Sequence, residues 1–313
     1  MLKYVLITPV HNEDAFIAKT IVSVLHQTYR PARWVIVNDG STDRTEEIIE
    51  AYRADIPWIE LLHMPKRAER DFSGKARCVA AGAAQLRGID YQLIGNLDGD
   101  VSFCDDYFEF LIQQFDRDPS LGVAGTPFVE ESGYSSATNS FEGRNHVAGA
   151  CQLFRRECFE EVGGYAEVKA GGIDWVAVTT ARMKGWTTRS FRERHLLHHR
   201  PIGTAGKGEL RATFAHGVKD YFLGWHPVWE CFRVLFRMSH PPYVIGGAAL
   251  GGGYLWGFLT RRERSVSREL LRFHRKEQMS KLALIVKKRL RRQPVDSFNL
   301  DADDGPERPE RES

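Results

Sequence analysis

The first hundred residues repeat one unit: a short β-rich apolar run, a polar turn, then a stretch with apolar residues at helical spacing. Residues 4–8, 34–38, 59–62 and 91–97 read as strands. Helices are expected at 13–25, 43–52 and 73–86, the first with Phe16, Ile17, Ile21, Val24 and Leu25 on one face. Strands alternating with helices force right-handed crossovers, and so an α/β fold with a mostly parallel sheet flanked by helices. Beyond Asp100 the alternation loosens. A helix at 107–115, a strand at 122–126, a polar loop at 130–145, a strand and short helix at 148–165, a helix from 175 to 184 and a strand at 187–191 complete the expected elements.

In such sheets ligands sit beyond the carboxyl ends of the strands, and three of those ends carry chemistry here. The fourth strand runs into Asp98-Gly-Asp100. Two carboxylates one residue apart on a turn can face one hard cation, whose remaining shell comes from phosphate and water; Asp and Gly also favour turns for backbone reasons alone. The second strand ends in Asn38-Asp39-Gly40-Ser41-Thr42-Asp43, where Asp39 could accept hydrogen bonds from a base or ribose and the other residues suit helix capping. The first strand ends in Pro9-Val10-His11-Asn12-Glu13, where a proline stop with Asn12 as a cap is the plainer reading. All three would converge on one edge of the sheet.

These motifs, with Gly74-Lys75-Ala76, 149–157, Glu161 to Tyr165 and Gly172-Ile173-Asp174, occur in the order found in family-2 glycosyltransferases of the GT-A fold. The resemblance spans about residues 4–200. It implies a nucleotide-sugar donor, with Pro9, Val10, Glu13, Asp39, Lys75 and Asp98 lining the nucleotide pocket. It implies Mg²⁺ or Mn²⁺ held by Asp100, with Asp98 touching the metal or the ribose, and Asp174 as the base that takes the acceptor's proton. Family members commonly carry Glu-Asp at that last position; Ile173 stands here instead. His198, His199 and Arg200 are candidate phosphate or metal contacts, and His195 lies beside them. The QxxRW signature of processive synthases is absent, which points to single sugar additions.

The rest of the chain bounds the setting. Net charge is +2, so nothing suggests a nucleic-acid partner. Five cysteines, an odd number without a CxxC pair, suit a reduced compartment. The start has too short an apolar run for a signal peptide, which places the first domain in the cytoplasm. Residues 1–225 are read as the glycosyltransferase domain, 226–293 as a helical appendage and 294–313 as a disordered tail. In the appendage, residues 243–259 carry no charge but six glycines, and 261–292 form a basic amphipathic stretch. Together they suit peripheral contact with an anionic membrane face and a saccharide or lipid-linked acceptor. A full span needs roughly 20 apolar residues.

Three rivals remain. A sugar nucleotidyltransferase would want a Gly-rich basic loop after the first strand, and an NAD-dependent oxidoreductase would want GxGxxG there; neither is present. A non-catalytic binding module is weakened by the presence of Asp98, Asp100 and Asp174.

Overall fold

The computed structural model describes residues 1–65, 73–138, 141–168, 171–200, 208–260 and 263–300. The expected tail beyond residue 300 lies outside the described residues. The elements run β1 (Tyr4–Val10), α1 (Ile17–Leu25), β2 (Arg33–Asn38), α2 (Thr45–Arg53), β3 (Ile59–His63), α3 (Ser73–Gln85), β4 (Leu93–Leu97), β5 (Val101–Ser102), α4 (Tyr107–Arg117), β6 (Leu121–Gly125) and β7 (Phe128–Glu130). They continue with β8 (Cys151–Arg155), α5 (Arg156–Val162), α6 (Ile173–Met183), β9 (Thr187–Ser190), β10 (Leu196–His198), α7 (Glu209–Phe222), α8 (Pro227–Met238), α9 (Ile245–Leu259) and α10 (Arg268–Leu290).

Seven strands form one sheet in the order β3-β2-β1-β4-β8-β6-β9, parallel except for β8, which runs against β4 and β6. Helices cover both faces, so the strands are apolar throughout. Val5, Ile7, Val35 and Val37 enter one core layer; Tyr4, Leu6, Trp34 and Ile36 enter the other. Parallel pairing of β1 with β2 and β4 brings three strand ends to a common edge, as the sequence predicts.

A second, three-stranded sheet, β5-β10-β7, was not foreseen. In it His198 pairs with Val101 and Leu197 with Ser102. Strands of two and three residues are too short to show a period, yet this pairing returns the chain to the Asp98–Asp100 turn.

Two helix starts differ from expectation. α1 begins at Ile17 because residues 13–16 close a turn, Phe16 N–H donating to the Glu13 carbonyl at 2.9 Å. Asn12 is therefore not its cap. Its backbone is left-handed at φ 54°, and its side-chain oxygen instead accepts from Thr42 N–H at 2.8 Å. α6 begins two residues earlier than expected, so Asp174 lies inside its first turn.

The glycines of 243–259 serve helix packing. A Cβ on Gly253 would lie 2.0 Å from the Phe214 carbonyl of α7, and one on Gly217 of α7 would lie 2.0 Å from the Leu250 carbonyl of α9. Without side chains there, the two backbones touch. The opposite face of α9 exposes Ile245, Leu255, Trp256, Phe258 and Leu259. Among the described residues no helix is long and apolar enough to cross a membrane.

Candidate active site

The turn after β4 is anchored by Asp98 N–H, which donates to the Ala150 carbonyl at 2.9 Å. Asp100 is 7% exposed. Ligand atoms of Asp98, Asp100 and His198 all lie within 4.8 Å of one another, close enough to share one ion. His198 Nε2 stands 3.6 Å from Asp100 Oδ1, and its Nδ1 is engaged by the Arg200 carbonyl, which leaves Nε2 for the cluster. Two carboxylates and an imidazole form a donor set that suits a divalent cation.

Charge balance points the same way. Lys75, in the first turn of α3, donates to Asp98 Oδ1 at 2.5 Å and to the Gly149 carbonyl at 3.2 Å. Arg200 reaches Glu13 at 2.7 Å, and its Nε lies 3.9 Å from Asp100. Two cations thus face three carboxylates. Burial, then the neighbouring Asp100, pushes the Glu13 carboxyl up to about 8 against the pull of Arg200. Burial also raises Asp98, although Lys75 opposes it. Burial works against the Lys75 ammonium too, but Asp98 carries it above the usual lysine range. The site is short of positive charge, and a bound cation would relieve that.

Asp174 reaches the cluster through Gly149. A Cβ on Gly149 would sit 2.5 Å from Asp174 Oδ2, so only glycine lets the carboxylate lie on the backbone whose carbonyl Lys75 holds. The helix cap is Gly172 at φ 82°, not Asp174, and no side chain caps the helix. Ile173 turns into the core at 5% exposure.

The other expected residues lie around this line. Asp39 N–H donates to the Val10 carbonyl at 2.9 Å, and the Asp39 carbonyl meets His11 Nδ1 at 2.8 Å. Pro9 pairs with Val37 across the adjoining strands. Glu13 is fixed by its N–H to Thr45 Oγ1 at 2.7 Å. Val10 has its side chain in the core, 2% exposed, so only its backbone faces this edge. His199 meets Ser102 Oγ at 3.0 Å and stacks on Phe16, a supporting position behind the ion cluster. His195 is exposed on the preceding turn. Sequence reasoning missed Gly149 as the link between the acids, and Ser102 and Phe16 as the supports of His199. Only the fold puts these residues side by side.

An α/β sheet with acids gathered at its strand ends is the architecture of nucleotide-sugar enzymes of the GT-A type. The chain matches the glycosyl transferase family 2 profile over residues 5–163, about half its length, and belongs to that family. It is 28% identical over 173 residues to a poly-β-1,6-N-acetyl-D-glucosamine synthase of Staphylococcus epidermidis, covering 49% of this chain and 39% of that protein. It is 29% identical over 127 residues to the uncharacterized glycosyltransferase EpsJ of Bacillus subtilis (strain 168), covering 41% of this chain and 34% of that protein. The matched region is thus well under half of these relatives. Two solved structures share the fold. Mannosyltransferase PcManGT of Pyrobaculum calidifontis, in complex with GDP-Man and Mn²⁺, gives a TM-score of 0.56 at 16% identity over 83% of this chain and 88% of that one. Staphylococcus aureus TarS in complex with UDP gives 0.56 at 13% identity over 95% and 89%.

Proposed function

We propose that this glycosyltransferase moves a sugar, of the hexosyl type, from a nucleoside diphosphate to an acceptor hydroxyl, with inversion and with Mg²⁺ or Mn²⁺ bound. The carrying observation is the cluster of Asp98, Asp100 and His198 with Asp174 just across Gly149. Pro9, Val10, Glu13 and Asp39 border the nucleotide, and Arg200 faces the diphosphate as a bidentate donor. A divalent ion held by Asp98, Asp100 and His198 would offset the charge that grows on the leaving diphosphate. Lys75 keeps Asp98 oriented. Asp174 takes the acceptor's proton, help worth about 10²–10⁴-fold. A single attack from the face opposite the diphosphate inverts the anomeric carbon. That PcManGT was solved with GDP-Man and Mn²⁺, and TarS with UDP, supports this donor and metal class.

Surface polysaccharide or glycolipid synthesis by single additions at the inner face of the plasma membrane is the setting we propose. The names of relatives support a polysaccharide product, and the exposed apolar face of α9 together with the basic last turn of α10 supports the membrane setting. The division at about 225 and 293 is part of the same reading.

The test measures transfer and slow donor hydrolysis with Mn²⁺, Mg²⁺ or EDTA, for wild type and Asp174→Asn, across UDP-, GDP- and dTDP-sugars. Both activities should vanish with EDTA. Asp174→Asn should keep donor binding and lose transfer by about 10²-fold or more. Metal-independent turnover, or a fully active Asp174→Asn, would refute the mechanism.

A further inference from the structure

Beyond α10 the chain turns back onto the sheet domain. Arg292, left-handed at φ 55°, follows the end of the helix, and residues 295–300 then return to Arg144, shortly before Gly149. Phe298 is 7% exposed and Leu300 0%, so packing seats this stretch, which sequence alone reads as the start of a tail. Asp296 shapes the turn within it, accepting from Phe298 N–H at 3.0 Å and from Asn299 Nδ2 at 2.8 Å.

Two contacts tie this stretch to the sheet domain. The Phe298 carbonyl accepts from Arg144 N–H at 2.8 Å. Arg192, just past β9, lies 4.0 Å over the Phe298 ring, and its nitrogens stand 3.3 Å from both Asp296 oxygens. The Arg144 carbonyl in turn accepts from Ser190 N–H of β9 at 2.7 Å. Arg144 is thus held through both backbone groups, one by the sheet and one by the C-terminal segment. Arg182 reaches the Asn145 carbonyl at 2.9 Å, and Gln152 Nε2 reaches the Val147 carbonyl at 2.7 Å.

The stretch so fixed leads into Gly149. The Gly149 carbonyl receives Lys75 and, at 3.3 Å, Asn96 Nδ2, and the Asp174 carboxylate lies against its backbone. Glycine has no side chain to wedge it in place, and its backbone is the least restricted of any residue. The seat of Asp174 therefore depends on what holds 144–147. β9 and Gln152 belong to the large sheet, whereas Asp296 and Phe298 are added from outside it. Their hydrogen bonds and ion pair end on Arg144 and Arg192, and none among the described residues ends on Pro9 or Glu13 at the nucleotide edge. The Arg192–Asp296 pair is well exposed and weak, which leaves the Phe298 ring as the stronger anchor.

We propose that residues 295–300 are a positioning strap for the reaction: Phe298 and Asp296, acting through Arg192 and the Arg144 backbone, hold the 144–149 stretch on which Asp174 rests. The strap sets the carboxylate for proton transfer and leaves donor binding alone. This rests on the reading of Asp174 as the base.

The experiment compares the full chain with a chain ending at Gln293, with Phe298→Ala, and with Phe298→Tyr, which keeps the ring under Arg192. Phe298→Ala carries the test if the shortened chain does not fold. Hydrogen exchange is followed in peptides covering 143–150 and, as the control, the β2 end at 33–42. Transfer is resolved into kcat and the donor KM. In the shortened chain and in Phe298→Ala, exchange over 143–150 should quicken by about tenfold or more while 33–42 keeps its rate. In both, kcat should fall by about tenfold with the donor KM unchanged, and Phe298→Tyr should restore both readouts. Unchanged exchange over 143–150, equal quickening at 33–42, a donor KM that rises with the loss, or quickened exchange with full kcat would each overturn the proposal. If exchange responds as expected but Asp174→Asn transfers at the wild-type rate, the base reading fails while the strap's hold on 144–149 stands.

Discussion

At the scale of single residues, opposite carboxylate environments separate site from scaffold. Glu13 is raised to about 8 by burial among other acids. Glu277 goes the other way. Burial opposes its charge, but Arg182 pulls the carboxyl from the usual 4.5 down to about 2. A carboxyl depressed by folding stabilises the native state fully above about pH 4.5 and loses that contribution as pH falls toward 2. At one pK unit per 1.36 kcal/mol, the ceiling is on the order of 3 kcal/mol. Urea midpoints from pH 7 to pH 3 should therefore fall less steeply for Glu277→Gln than for wild type, from a lower starting value. Parallel pH curves would show that the Arg182 pair contributes nothing. The convergence of the first and fourth strand ends was legible in the sequence, and Arg200 links Glu13 and Asp100 there. Sequence reading failed for Asn12, because a left-handed backbone turns its amide toward Thr42 and away from the helix it precedes.

At the scale of elements, β1 to β4 and their helices were legible because buried parallel strands read as unbroken apolar runs. The β5-β10-β7 sheet was not, since its short strands carry no period and its partners lie far apart in sequence. The glycine-rich helix was legible as unusual but not in meaning. Composition alone suits a membrane segment as well as a close helix crossing; only the α7 backbone decides. Gly253→Val should force the Phe214 carbonyl away and destabilise the protein by about 1–3 kcal/mol. Gly252→Ala, whose Cβ would meet nothing nearer than the Phe214 ring at 3.8 Å, should be neutral or stabilise by up to about 1 kcal/mol. Thermal unfolding distinguishes them; equal effects would show that the crossing is not tight.

At the scale of the whole molecule, the exposed apolar residues of α9 and the basic end of α10 predict attachment to anionic bilayers. Sedimentation with phosphatidylglycerol vesicles should retain the protein, and phosphatidylcholine vesicles should not. Rising salt should release it, because screening shortens to roughly 3 Å at 1 M. Trp256→Ser should weaken attachment without touching donor binding. Equal sedimentation with both vesicle types, or none, would remove the electrostatic basis of membrane contact. The helical spacing of α10 was visible in the sequence, but its packing against α6 and α8 was not, because no local pattern connects those stretches.

The β10 pairing also has a consequence for biosynthesis. Asp98 and Asp100 leave the ribosome almost a hundred residues before His198. The portion matching the family profile ends at residue 163, before the third member of the candidate ion cluster, His198. A nascent chain holding only that portion has both acids but no imidazole beside them. The candidate ion cluster is complete only once α6 and β9 have emerged and β10 pairs with β5. On the proposed reading of the ion site, a fragment cut before residue 198 would hold Asp98 and Asp100 but not the imidazole that stands beside them.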